Sequence, residues 1–177
     1  MMGGSAGGIV QYLAAGAAHP ALKCGMPVVA APSLYHHAFF PGGAFRKADL
    51  ETWWNNCKLP AEGLRLILAH RDYDDFWRQE DLIARAPEVR TPMVHSGGWY
   101  DMFSQGTIDA FTALQHRGGE GAKGNQVLVI GPWTHGMKPG GELRFPPSAS
   151  ENPAQKALSS WLPRWLGMTP PPAEKQP

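Results

Sequence analysis

A chain of 177 residues can hold one domain with a proper core but not two large ones. Hydrophobic residues at 43% and charged residues at 18% describe a globular protein and exclude a disordered one. A net charge of +1 without a basic run gives no footprint for nucleic acid or an anionic membrane, and no apolar run approaches the ~20 residues that span a bilayer.

Gly3-Gly4-Ser5-Ala6-Gly7-Gly8 opens the chain, and Ile9 to Ala18 follows as a helix-compatible run of small and apolar residues. His19-Pro20 stops that helix, because proline disfavours helical geometry in the residue before it. The small-residue stretch near Ala14 to Ala18 is not expected to be a secretory signal, because no Lys or Arg before Lys23 supplies a basic n-region. Met26 to Ala31 is a short apolar strand ended by Pro32. Residues 33–86 change character, crowding Tyr35, Phe39, Phe40, Phe45, Trp53, Trp54, Tyr73, Phe76 and Trp77 among helical stretches expected at 47–57, 61–70 and 74–85.

Thr91 to Ser96 is the next strand, running into Gly97-Gly98-Trp99-Tyr100-Asp101. Ser104 to His116 forms an amphipathic helix closed by Arg117 and Gly118-Gly119. Gln126 to Ile130 is a third apolar strand, leading into Gly131-Pro132-Trp133-Thr134-His135. A last helix is expected from Asn152 to Leu166, followed by Pro170-Pro171-Pro172 and a polar tail. Apolar strands alternating with helices predict an α/β fold, a parallel sheet covered on both faces. Cys24 and Cys57 give neither a metal spacing nor a disulfide framework, which points to a reducing, cytoplasmic setting.

Gly3 to Gly7 fits G-x-S-x-G, in which a serine on a sharp strand-to-helix turn needs small neighbours and exposes its hydroxyl. The N–H of Ala6, at the head of the helix, would then face a developing oxyanion. A flexible Gly/Ser leader is the alternative for this segment. Asp101 and His135 each fall just past an apolar strand, where parallel sheets carry their sites. The order Ser, Asp, His is that of the α/β hydrolases. Singly, Asp101 also reads as a helix N-cap and His135 as a buried structural histidine. In order and on matching element ends, the three together favour a nucleophile, acid and base.

Other patterns carry less. Gly119, Gly121 and Gly124 match the dinucleotide fingerprint by letters, but follow a helix and precede a strand, the reverse of what it requires. His36-His37 lacks ligand spacing, and Asp72, Asp74 and Asp75 read as a helix N-terminus rather than a calcium loop. Neither a metal nor a cofactor is expected.

GGSAGG followed by VQYLAA and HPAL, then YDDFWR, GGWYDMFSQGTIDAF and IGPWTHG, together resemble the CocE/NonD hydrolases. That family takes in cocaine esterase-like enzymes, α-amino-acid ester hydrolases, glutaryl-acylases and X-Pro dipeptidyl-peptidases. The likeness runs to about Gly167. It implies the C-terminal part of an α/β-hydrolase fold, with core residues 1–32 and 87–167, a helical cap at 33–86, and a Pro-rich tail at 168–177. It further implies Ser5 as nucleophile, Asp101 as acid and His135 as base, with Trp99, Phe103 and Trp133 joining the cap's Trp53, Trp54 and Phe76 around the substrate.

The chain departs from the family in three ways. Ala6 stands where a tyrosine commonly follows the nucleophile. Only Met1 and Met2 precede Gly3, so the elbow strand and a tyrosine-bearing oxyanion loop are expected to be missing, leaving a three-stranded sheet with an open edge. The family's jelly-roll domain is expected to be missing, with the Pro-rich tail in its place. Two functions follow: a serine hydrolase of a small-molecule ester or peptide, or a truncated, non-catalytic remnant that pairs through its sheet edge with itself or another chain.

Overall fold

The computed structural model describes residues 1–168, so the expected Pro-rich tail lies, apart from Met168, outside the described residues. Four parallel strands form one sheet in the order β1 (Met2–Gly4), β2 (Met26–Val28), β3 (Val94–Tyr100), β4 (Val127–Thr134). Helix α1 (Ala6–Gly16) links β1 to β2, and α5 (Ser104–Arg117) links β3 to β4. Between β2 and β3 lie α2 (Lys47–Asn56), α3 (Ala61–Ala69) and the short α4 (Asp75–Arg78); α6 (Pro153–Leu166) closes the described chain. Among the described residues no helix is long and apolar enough to cross a membrane.

The two faces of the sheet are sorted by alternation along β3 and the residue before it. Met93 packs with Tyr12 and Ala15 of α1 and with Ala110, Ala113 and Leu114 of α5. Val94, pointing the other way, meets Met26, Ala154 and Leu158 beneath α6. Residues 33–86 gather a separate cluster of Tyr35, Phe40, Ile67 and Trp77, flanked by Phe39, Phe45, Trp54, Tyr73 and Phe76.

The sheet has four strands, not the three expected. Met2, Gly3 and Gly4 pair with Met26, Pro27 and Val28, and Ser5 N–H adds a rung to the Val28 carbonyl at 2.9 Å. So short a strand survives because a buried glutamine clasps it. Gln11 Nε2 lies 3.2, 2.8 and 3.3 Å from the carbonyls of Gly3, Gly7 and Met26, while its Oε1 accepts from Met26 N–H at 3.0 Å. One side chain thereby ties β1, α1 and β2 together.

The helix expected at 74–85 contracts to four residues. Asp81 bends its carboxylate back to accept from Ile83 and Ala84 N–H, and Leu82 N–H bonds to Pro32, so the backbone leaves the helical path. Strands β3 and β4 run longer than their apolar cores, because each supplies the other's backbone partners through the glycine-aromatic segments.

Candidate active site

Ser5 sits at the turn between β1 and α1 with φ 52° and ψ −122°, a conformation costly for any residue but glycine. The turn is tight because α1 crosses directly over the strand it leaves. A Cβ on Gly3 would stand 3.0 Å from the Gly7 carbonyl, and one on Gly8 would stand 2.6 Å from the Ala30 methyl. Gly7 itself has open space around it, so the steric demand of the elbow falls on Gly3 and Gly8 rather than on both glycines of the motif. Gly8 and Ile9 donate back to the Ser5 carbonyl, which leaves Ala6 and Gly7 as the first-turn N–H groups without an intrahelical acceptor.

Asp101 and His135 lie one residue beyond β3 and β4. His135 Nδ1 is 2.8 Å from Asp101 Oδ1, and its Nε2 is 2.9 Å from Ser5 Oγ. The Asp101 side chain is fully buried (0% exposed), whereas the imidazole keeps 35% of its surface. A carboxylate can only accept, so Nδ1 carries the proton and Nε2 is left to accept from the Ser5 hydroxyl. The Phe103 ring stands edge-on to the imidazole, centroids 5.5 Å apart and planes at 76°. Helix α5 is capped at Phe103 without a side-chain bond, so Asp101 is no N-cap, and the half-open His135 is no core histidine.

The buried structural histidine is His95. Gln126 Nε2 donates to the carbonyls of Thr91 and Ala122, and its Oε1 accepts from Met93 N–H, which fixes the amide. The same Oε1 lies 3.0 Å from His95 Nε2, so that nitrogen is the donor, and Nδ1 accepts from Tyr12 Oη at 2.9 Å. Complete burial pushes the His95 pKa down to about 4. His37 is held by Asp109 at 3.1 Å, tying the turn at Tyr35–Phe39 to α5.

Of the aromatic residues expected around a substrate, Phe103 sets its ring against His135. Trp99 is 64% exposed on the rim. Trp133 is 2% exposed and sends its Nε1–H to the Ala149 carbonyl at 2.6 Å, so it is a packing residue, not a pocket wall. Trp54 donates to Pro60, Trp53 lies exposed edge-on against it, and Phe76 stacks on His70 with centroids 4.3 Å apart. These three belong to the packing of residues 33–86. Asp74 caps α4 by accepting from Phe76 N–H, the helix-start role expected of that acidic cluster. Gly119 and Gly121 press against the carbonyls of Pro87 and Arg90 in the turn between α5 and β4, a structural use.

A parallel sheet whose strand ends carry a strained serine turn, an acid and a histidine defines the α/β-hydrolase class of fold. The family model for X-Pro dipeptidyl-peptidase (S15 family) matches residues 1–63 and 58–137, and the chain belongs to that family, the group that includes the CocE-type hydrolases. Cocaine esterase of Rhodococcus sp. (strain MB1 Bresler) is 30% identical over 69 residues, 39% of this chain and 11% of that enzyme. An aminopeptidase from a marine sediment archaeon (Thaumarchaeota archaeon) superposes with a TM-score of 0.70 at 21% identity, over 94% of this chain and 34% of its own. A selenomethionine-labelled α-amino acid ester hydrolase superposes with a TM-score of 0.66 at 19% identity, over 98% of this chain and 35% of its own. The chain thus spans about a third of the length of these solved structures. The relatives named are hydrolases.

Sequence reasoning missed Gln11, Gly8 and the Gln126–His95–Tyr12 chain. An amide or imidazole inside an otherwise apolar segment was the available signal, since a buried polar group requires partners.

Proposed function

We propose that the chain acts as a serine hydrolase on an ester or amide acyl group, with Ser5, His135 and Asp101 as its catalytic triad. The observation that carries the reading is the unbroken hydrogen-bonded chain from Ser5 Oγ through His135 to Asp101, at 2.9 and 2.8 Å. Ser5 Oγ attacks the acyl carbon as His135 Nε2 takes its proton, and the carbonyl π pair moves onto oxygen beside Ala6 N–H. Buried Asp101 stabilises the imidazolium so formed. The tetrahedral adduct collapses, the bond to the leaving alcohol or amine breaks, and His135 returns the proton to it. Water then repeats the sequence on the acyl-serine and releases the acid.

A fluorophosphonate probe tests this. The wild-type protein is expected to gain one phosphonyl adduct on the Ser5 peptide by mass spectrometry, and Ser5→Ala none. Adduct-free wild-type protein that is folded by circular dichroism would overturn the reading.

One observation supports a second, partner-dependent reading. β1 is an edge of the sheet, and a groove of about 720 Å³ runs beside it, lined by Gly3, Gly4, Met26, Val28, Met137 and Leu158. An added strand, from a second copy or another chain, would satisfy that edge. Light scattering separates the cases, since a monodisperse monomer with full labelling excludes a need for pairing.

A further inference from the structure

The acid and the base owe their meeting to an irregularity in β4. Pairing runs regularly from Val94↔Val127 to Gly98↔Gly131 and resumes at Tyr100↔Thr134, so β4 spends three residues where β3 spends two. Continued without the extra residue, the ladder would set Asp101 across from Thr134. A one-residue slip in a strand turns the following side chains to the opposite face. With the extra residue, the positions after the last pair are Asp101 and His135, level with each other. The irregularity is a β-bulge, a device that re-aims a side chain beside an active site.

Trp133 holds the bulge. Its indole folds back over Gly131, where any Cβ would collide with the ring, and its carbonyl passes so close to Gly98 that a side chain there would strike it. The ring is pinned from outside by its Nε1–H bond to the Ala149 carbonyl, 2.6 Å. The loop that follows is tied to the same point: Thr134 N–H bonds to Lys138, Gly140 N–H to Pro132, and Trp133 bridges Pro139.

We propose that Trp133 is a positioning residue, a wedge that locks the β4 bulge and thereby sets His135 against Asp101 and Ser5. Its kinetic consequence rests on the hydrolase reading above, but its structural consequence does not.

The test uses the full chain with ¹⁵N-labelled histidine, read by NMR and by fluorophosphonate labelling rate. His135 Nδ1–H, bonded to a carboxylate, gives a low-field signal. His95 Nε2–H, buried against Gln126 in the same sheet, gives a second signal that reports the fold. Trp133→Leu is expected to abolish the His135 signal, keep the His95 signal and slow labelling on the order of 10²-fold, as an ångström-scale misplacement does. Trp133→Phe, which restores a ring over Gly131, is expected to return the signal and most of the rate. Unchanged His135 signal and labelling in folded Trp133→Leu overturns the proposal. Loss of the His95 signal in both variants also overturns it, since Trp133 would then be a general core residue. If wild-type protein is not labelled yet the His135 signal responds as stated, the hydrolase reading fails and the positioning role stands.

Discussion

Acidification should destabilise this protein through His95 among other groups, and the His95 contribution can be isolated. The imidazole is fully buried between Tyr12 and Gln126 and uses both nitrogens as a neutral ring, one donating and one accepting. Its pKa falls from 6.5 to about 4 on folding. A histidine with a lowered folded pKa stabilises the protein fully above the unfolded value. That contribution drains away as the pH drops from about 6.5 towards 4, because the unfolded chain takes up the proton first. At 1.36 kcal/mol per unit the loss amounts to about 3 kcal/mol, with no discount for solvent since the ring is buried. His95→Gln is the matched variant: its amide can donate to Gln126 and accept from Tyr12 without titrating. Urea unfolding of both proteins between pH 7.5 and 4 gives the difference directly, and other titrating groups cancel in it. The wild type should lose ground on the variant by about 3 kcal/mol across that window. A difference that stays flat, or a His95 NMR titration centred near 6.5, would refute the reasoning.

Three further outcomes are expected. Asp101→Asn should leave the fold intact but let the His135 ring take the wrong tautomer, slowing fluorophosphonate labelling by on the order of 10⁴-fold. Gly8→Ala places a methyl 2.6 Å from the Ala30 Cβ and 3.1 Å from the Val28 carbonyl. That overpacking should cost about 1–3 kcal/mol in urea unfolding. Gln11→Leu strips the carbonyls of Gly3, Gly7 and Met26 of their shared donor, while Met26 N–H keeps the Met1 carbonyl at 3.0 Å, so about 2 kcal/mol should be lost. Hydrogen exchange should show the opening at Met2 to Gly4 first.

The α/β architecture was legible because the strands' apolar runs and the helices' turn residues are local signals. Val94 and Val127 fall inside such runs, and Gly118 stands where a helix ends. Ser5, Asp101 and His135 could be singled out for a similar reason: each follows directly on an element whose end the sequence marks. The strand Met2–Gly4 was not legible. Two glycines and a methionine carry no strand signal, and what makes them a strand is Gln11, a contact formed only once α1 folds back. The contraction of the 74–85 helix was hidden likewise, because Asp81 looks like any helical acidic residue until its carboxylate finds the N–H groups of Ile83 and Ala84. Trp133 misled for a plain reason. The resemblance set it beside the substrate, whereas its burial and its bond to the Ala149 carbonyl show that the ring turns into the packing.

The placement of the site follows from backbone geometry more than from side-chain attraction. Ser5 and His135 are 130 residues apart, and a hydrogen bond of 2.9 Å between them is worth too little to close such a loop. The sheet closes it instead, since β1 to β4 stand side by side and Ser5, Asp101 and His135 each lie one position past a strand end. What remains is aim, and aim is stored in two local departures from regular structure: the positive φ of Ser5 and the bulge in β4. Both are held by residues outside that trio: Gly8 and Gln11 at the first, Gly98 and Trp133 at the second. Conservative changes at those four positions should therefore damage the site more than loss of exposed Trp99, although Trp99 stands two residues from Asp101.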